Sequence, residues 1–256
     1  QNGSDKIGGS AVNATLSTEG LAVTLVFIDA TRGWLVTDNG TQDTASTAQY
    51  VTATGGTITC SGDYRIHTFT GPGALCVSNA GNSCGSNTVD YLIIGGAGGG
   101  GRNRGGGGGA GGYRESPGVA SGSYSVSPLG VSPAVALPVA VTPYPVTVGA
   151  GGADSTGVCA RGSDGSNSTF AGSSTITSTG GGGGGSSHST VPIPASYFRW
   201  PGNPGGSGGG ASGYLSPADT GTGGVGNTPP VSPPQGNTGG TKNTGGDQGG
   251  GGAGGA

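Results

Sequence analysis

The sequence predicts a mostly β N-terminal part followed by a glycine-rich bundle of polyglycine II-type extended helices with loops, and essentially no α-helix. Three observations carry this. Glycine supplies 64 of 256 residues, 13 before Ile94 and 51 after it, against a usual share of roughly 7%. Strand signals, short runs of β-branched and apolar residues, are clear in the first 95 positions. Ala, Leu, Glu and Lys never gather at helical spacing over three turns. The composition divides the chain into two halves joined near residues 92–96; the domains expected are a β module at 1–40, a small β domain at 41–94 and a glycine-rich domain at 95–256.

In the first part each strand is short and punctuated by Gly, Asn or Asp. LAVTLVFID (21–29) and GWLVTD (33–38) are separated by ATR and read as a β-hairpin. GTITCSGDYRIHTFTGPG (56–73) holds two strands around SGD, while ALCVSN (74–79) and TVDYLIIGG (88–96) supply two more. The Val- and Pro-rich stretch 122–149 is expected to form edge strands or extended polyproline-like segments, because proline cannot donate to a ladder.

The remainder alternates glycine tracts (95–101, 105–112, 180–185, 205–210, 221–226, 236–240, 245–255) with loops. Ordering a glycine costs roughly 0.5–1 kcal/mol more than ordering an alanine, so something must offset the sum. Extended helices with three residues per turn do so when packed side by side, since a backbone without Cβ admits a neighbour closely and permits many weak Cα–H···O contacts. Replacing Gly107 or Gly182 by Val is therefore expected to destabilise the bundle.

Composition also excludes functions. Charged residues make up 8% and the net charge is −3, which points away from nucleic acid and anionic membranes. No apolar stretch reaches 18 residues, so no membrane insertion is expected. Repeated G-x-G-x-x-G is uninformative in so glycine-rich a chain, and GGTKNT (239–244) fails the P-loop spacing. His67 and His188 have no acid or nucleophile near them in sequence, and no carboxylate pair suits general acid–base work. No enzyme activity, cofactor or metal is expected. Cys76 and Cys84 flank VSNAGNS and form the candidate local disulfide; the alternative keeps Cys60, Cys76, Cys84 and Cys159 as small buried hydrophobes. A chain beginning at Gln1 without any Met is expected to be the end of a longer polypeptide.

The loops hold the large side chains that the tracts lack: Arg102, Arg104, His188, Tyr197, Phe198, Arg199, Trp200 and Tyr214. Aromatic and Arg side chains dominate binding hot spots, and loops on a rigid scaffold are where recognition usually sits. The competing reading of Tyr197, Phe198 and Trp200 is a hydrophobic plug over the bundle end.

YVTATGGTITCSGDYRIHTFTGPG (50–73), TVDYLIIGGAGGGG (88–101) and GGGGGAGGYRES (105–116) resemble glycine-rich tail-fibre proteins of tailed bacteriophages, especially marine ones. GSNSTF…STITSTGGGGG (165–184) and GNTPPVSPPQGN (226–237) extend the resemblance. Residues 2–36 are similar to a small β module near the ends of phage fibre shafts. The resemblance implies a distal adhesin on a trimeric shaft: a homotrimer through the N-terminal module, located extracellularly on the virion, whose variable tip loops contact a host outer-membrane protein or polysaccharide. Two other readings are a purely structural fibre cap or extracellular filament subunit, and an ice-binding protein, which the irregular tracts disfavour.

Overall fold

The computed structural model describes residues 23–38, 48–82, 85–117, 135–157, 160–187, 199–213 and 221–241. No helix occurs among them. The chain forms two units, Gln1–Tyr50 with Gly81–Ser86, and Val51–Ala80 with Asn87–Ala256.

In the first unit β1 (Thr24–Asp29) and β2 (Gly33–Asp38) form the expected hairpin. Asp29 closes its turn, Oδ1 accepting from the N–H groups of Thr31 and Arg32 at 2.8 and 2.7 Å, the self-bonding that favours Asp before a turn. Phe27 and Trp34 meet edge to face across the strands at 5.4 Å. Leu25, Val26, Phe27, Ile28, Trp34 and Leu35 are all exposed.

The second unit begins with β3 (Val51–Thr54), β4 (Thr57–Ser61), β5 (Tyr64–Thr68) and β6 (Gly73–Ala80). β4 and β5 make a two-stranded hairpin that turns at Gly62, whose φ is +56°. The fourth expected strand breaks into β7 (Thr88–Val89) and β8 (Leu92–Ile94). The interruption has a cause: Ser116 Oγ accepts from the Tyr91 N–H, taking that group out of any ladder, and donates to Asp90 Oδ1 beside it. β8 pairs with β9 (Tyr113–Glu115), and β7 with β10 (Leu137–Pro138).

Three further strands, β11 (Pro143–Thr147), β12 (Ser168–Ala171) and β13 (Thr175–Ser178), complete an antiparallel sheet of order β13-β12-β11-β6-β3. Strands from both sides of the composition change near residue 95 thus share one sheet. Ala53, Leu75, Val77, Tyr144, Phe170 and Ile176 of this sheet form the core together with Leu137 of β10, with Tyr144 stacked on Phe170 at 5.8 Å.

The central position of β11 corrects the expectation that the Val/Pro-rich stretch supplies only edge strands. Thr142 O accepts from Val77 on the β6 side (3.2 Å). Because strand groups alternate in direction, Pro143 and Pro145 turn their nitrogens to the opposite side. There the ladder with β12 covers only Val146 and Thr147, so neither proline is asked for a bond. Residues 122–134 of that stretch lie outside the described residues.

Among the described residues, nine extended segments follow from hydrogen bonds that recur with a period of three: 95–101, 105–112, 149–155, 160–167, 179–185, 201–206, 207–213, 221–226 and 236–240, numbered 1 to 9 in chain order. Segment 1 displays the rule. Gly95, Gly98 and Gly101 donate to Gly112, Gly109 and Gly106 of segment 2, while Gly96 and Gly99 donate to Ser166 and Ser163 of segment 4. The carbonyls of Gly96 and Gly99 accept from Gly181 and Gly184 of segment 5, and those of Ala97 and Gly100 accept from Gly152 and Ser155 of segment 3. Partners that change every residue and repeat every third are the signature of a three-residue turn without internal bonds.

The tract glycines serve as residues without Cβ rather than as turn formers. The positive-φ glycines, Gly33, Gly55, Gly56, Gly62 and Gly81, all precede the bundle. A Cβ on Gly98, Gly181, Gly183 or Gly209 would fall well inside the carbonyl of an adjacent segment. Outward positions carry side chains instead, as Ala150, Ala153 and Asp154 do on segment 3. Gly182 is buried against a neighbouring backbone as expected, whereas Gly107 is exposed.

Segment 5 lies inside the bundle. Each N–H and C=O from Thr179 to Gly185 has a partner, which is the condition for burying bare backbone. Side chains supply what neighbouring carbonyls do not reach: Gln235 Oε1 accepts from Thr179 (2.9 Å), Asn167 Oδ1 from Gly180 (3.0 Å) and Asp164 Oδ1 from Gly183 (2.7 Å).

Candidate recognition end of the bundle

Successive segments run antiparallel, so the connections 1–2, 3–4, 5–6 and 7–8 emerge at one end of the bundle. The reversal between segments 6 and 7 is immediate: Gly206 donates to Gly180, Ser207 accepts from Gly182, and Gly209 donates back to Asn203. It turns the chain inside a single glycine tract, and thereby brings the 7–8 connection to the same end as the other three.

At this end residues 102–104 turn from segment 1 to segment 2, with Asn103 and Arg104 in the left-handed region at φ 54° and 55°. Their carbonyls are tied down. Ser186 Oγ donates to Arg102 O, Ser187 Oγ to Asn103 O, and the Gly213 N–H to Arg104 O. Both serines are buried. The Arg102 and Arg104 side chains are exposed, and Arg102 Nη1 donates to Thr156 O of the 3–4 connection at 2.6 Å.

Beside this turn β14 (Ser186–Ser187) pairs with β15 (Arg199–Trp200), placing Trp200 opposite Ser186 and Arg199 opposite Ser187. Trp200 is 38% exposed. The guanidinium of Arg161, on segment 4, lies over its indole at 5.2 Å.

Of the sequence-selected residues, Arg102, Arg104, Arg199 and Trp200 are therefore brought to one end. His188, Tyr197, Phe198 and Tyr214 lie outside the described residues, in stretches that the chain enters and leaves at that same end. Arg161 was not selected by sequence. The signal for it existed: Gly162 and Gly165, three apart, mark a segment, and Arg161 stands at its start. Cys60 and Cys76 are exposed, which removes the buried-hydrophobe reading for these two. Cys84, the expected partner of Cys76, and Cys159 lie outside the described residues. His67, on β5, donates from Nδ1 to Gly55 O at 2.8 Å and serves the fold.

Away from this end, a concavity of about 340 Å³ is lined by Tyr91, Arg114, Leu137, Ile176 and Val231 among others. Burial pushes the Tyr91 phenol above its ordinary value, with Arg114 pulling it back and Asp90 raising it further. None of the sequence-selected residues lies there. Among the described residues no group of His, Cys, Asp and Glu could hold a metal ion, and no helix is long and apolar enough to cross a membrane.

No curated protein and no solved structure matched the chain. A family model described as a glycine-rich domain matches residues 77–256. That span covers more than half of the sequence and includes all nine extended segments, so the chain belongs to the glycine-rich domain family.

Proposed function

We propose that this chain is the distal, receptor-recognising part of a bacteriophage tail fibre, exposed on the virion and binding a host surface molecule without catalysis. One observation carries the reading: the connections rich in Arg and aromatic residues converge on a single end of a rigid scaffold whose tracts offer almost no side chains. Connections of this composition on a hydrogen-bonded scaffold suit recognition. The resemblance of residues 50–116 to phage tail-fibre proteins supplies the biological setting.

The test separates recognition from sealing. With Arg199 and Trp200 both changed to Ala, the fluorescently labelled chain is expected to lose attachment to marine bacterial isolates by about thirtyfold, the equivalent of one hot-spot anchor of roughly 2 kcal/mol. Losing the Arg161 stack costs only about 0.5–1 kcal/mol, a fall of roughly 1–4 °C in melting temperature. Retained attachment with a much larger fall in melting temperature would make the pair a structural seal and refute the assignment.

We further propose that the chain acts as a homotrimer assembled through its N-terminal module. The apolar side chains of β1 and β2 are exposed, Phe27 by 50% and Leu35 by 48%, and a two-stranded hairpin alone is marginally stable in water. Light scattering of the full chain is expected to give three times the 23.9 kDa chain mass. A monomer that persists at high concentration would exclude the trimer.

A further inference from the structure

The side chains at the recognition end also specify the chemistry of what binds there, a conclusion that rests on the function proposed above. The chain carries 9 Lys and Arg against 12 Asp and Glu. Yet Arg102, Arg104, Arg161 and Arg199 all sit at this one end by hydrogen-bond register. The described carboxylates near it, Asp154 and Asp164, are outnumbered by these four arginines. Asp154 Oδ1 accepts from Gly100 at 2.7 Å, and Asp164 Oδ1 accepts from Gly183 and from Asn203 Nδ2 at 2.7 and 2.8 Å. A positive end on a negative molecule attracts and orients anionic partners.

Arg161 narrows the class. Its Nε is buried and has no hydrogen-bond partner, an uncommon state for a buried donor that needs an explanation. The guanidinium carbon lies over the Trp200 indole, 5.2 Å from the ring centroid. Such stacking fixes the plane of the planar donor fork, whose geometry matches a carboxylate or phosphate bidentately. The partly exposed indole beside it offers an apolar face of the kind that packs against the C–H face of a sugar ring. A ring bearing its own carboxylate meets both groups at once, whereas a bare phosphate would leave the indole unused.

We infer that Arg161, stacked on Trp200, binds the carboxylate of an acidic, uronate-type polysaccharide, with Arg102 and Arg104 adding longer-range attraction. The probes are short oligogalacturonate, neutral dextran oligosaccharide and inorganic polyphosphate, each titrated against the full chain at low and high salt. The wild-type chain is expected to bind oligogalacturonate but not dextran, more weakly at high salt. Arg161→Lys keeps the charge and loses the fork, and is expected to weaken binding by about tenfold or more while the melting temperature falls by no more than about 4 °C. Trp200→Phe, which keeps an aromatic face, is expected to lose less.

Equal binding of dextran would overturn the inference. So would polyphosphate binding as tight as oligogalacturonate and indifferent to Arg161→Lys, since the end would then be a plain basic patch. If the labelled chain attaches to bacterial cells but not to oligogalacturonate, the acidic-glycan assignment fails and the recognition reading stands. If it attaches to neither, both fail.

Discussion

Gly182→Ala is expected to lower the stability of the glycine-rich unit by on the order of 3 kcal/mol, near the upper end for overpacking, or roughly 6–12 °C in melting temperature. A Cβ there would be driven into the carbonyl of Asn203 on segment 6. The backbone has nowhere to retreat. Gly182 donates to Ser207 of segment 7 and accepts from Gly109 of segment 2, and its neighbours Gly181 and Gly183 bond to segments 1, 4 and 6. Any shift that relieves the clash stretches several bonds of an interior built almost without hydrophobic side chains. Gly100→Ala is the matched control, because its Cβ would meet only the Asp154 carboxylate at 3.4 Å; it is expected to change stability by less than about 0.5 kcal/mol. Calorimetric melts of the two variants decide the matter. Equal melting temperatures would mean that contact phase does not set which tract positions must be glycine.

Gln235 is the largest fully buried side chain among the described residues. Its Oε1 satisfies the Thr179 N–H at the entrance to segment 5, and its Nε2 donates to Pro229 O at 3.1 Å. Asn227 holds the same loop in place, its Oδ1 accepting from the N–H groups of Val231 and Gln235. Gln235→Met fills similar space without the acceptor and is expected to cost about 2 kcal/mol, the penalty of an orphaned buried donor. Gln235→Ala adds a cavity and is expected to cost about 4 kcal/mol in all. Hydrogen exchange at the Thr179 amide provides the local readout and should accelerate in both variants. Wild-type exchange and stability in Gln235→Met would show that the side-chain carbonyl is dispensable to the bundle.

The sequence by itself determined the elements whose stabilisation is local. The β1–β2 and β4–β5 hairpins are legible because their turn residues, Asp29 and Gly62, act within a few positions of themselves. The absence of helix and the extended glycine tracts are legible from composition, since nothing else makes so much glycine pack. Segments 3 and 4 escaped because packing demands glycine only where a neighbouring backbone approaches: Gly149 and Gly152 in one, Gly162 and Gly165 in the other, with Ala, Ser, Asp and Asn between. A spacing of three was the available sign, and density of glycine concealed it.

Tertiary structure alone decided the placement of β11, the side-chain caps and the gathering of the candidate site. Pro143 and Pro145 read as edge residues in one dimension, and only the short reach of the β12 ladder makes a central position acceptable. Asp164, Asn167 and Gln235 look like ordinary loop polars until the unpaired N–H groups of segment 5 are set beside them. Arg102, Arg104, Arg199 and Trp200 were legible as side chains suited to recognition. That they share an end depends on how many times the chain reverses between them. A tract read as one passage, 205–210, in fact divides at 206 and 207, because the Ser207 and Gly209 backbones find partners on segments already in place. The bonds of Ser207 reach Ala110 and Gly182, 97 and 25 positions away, so no local pattern encodes them.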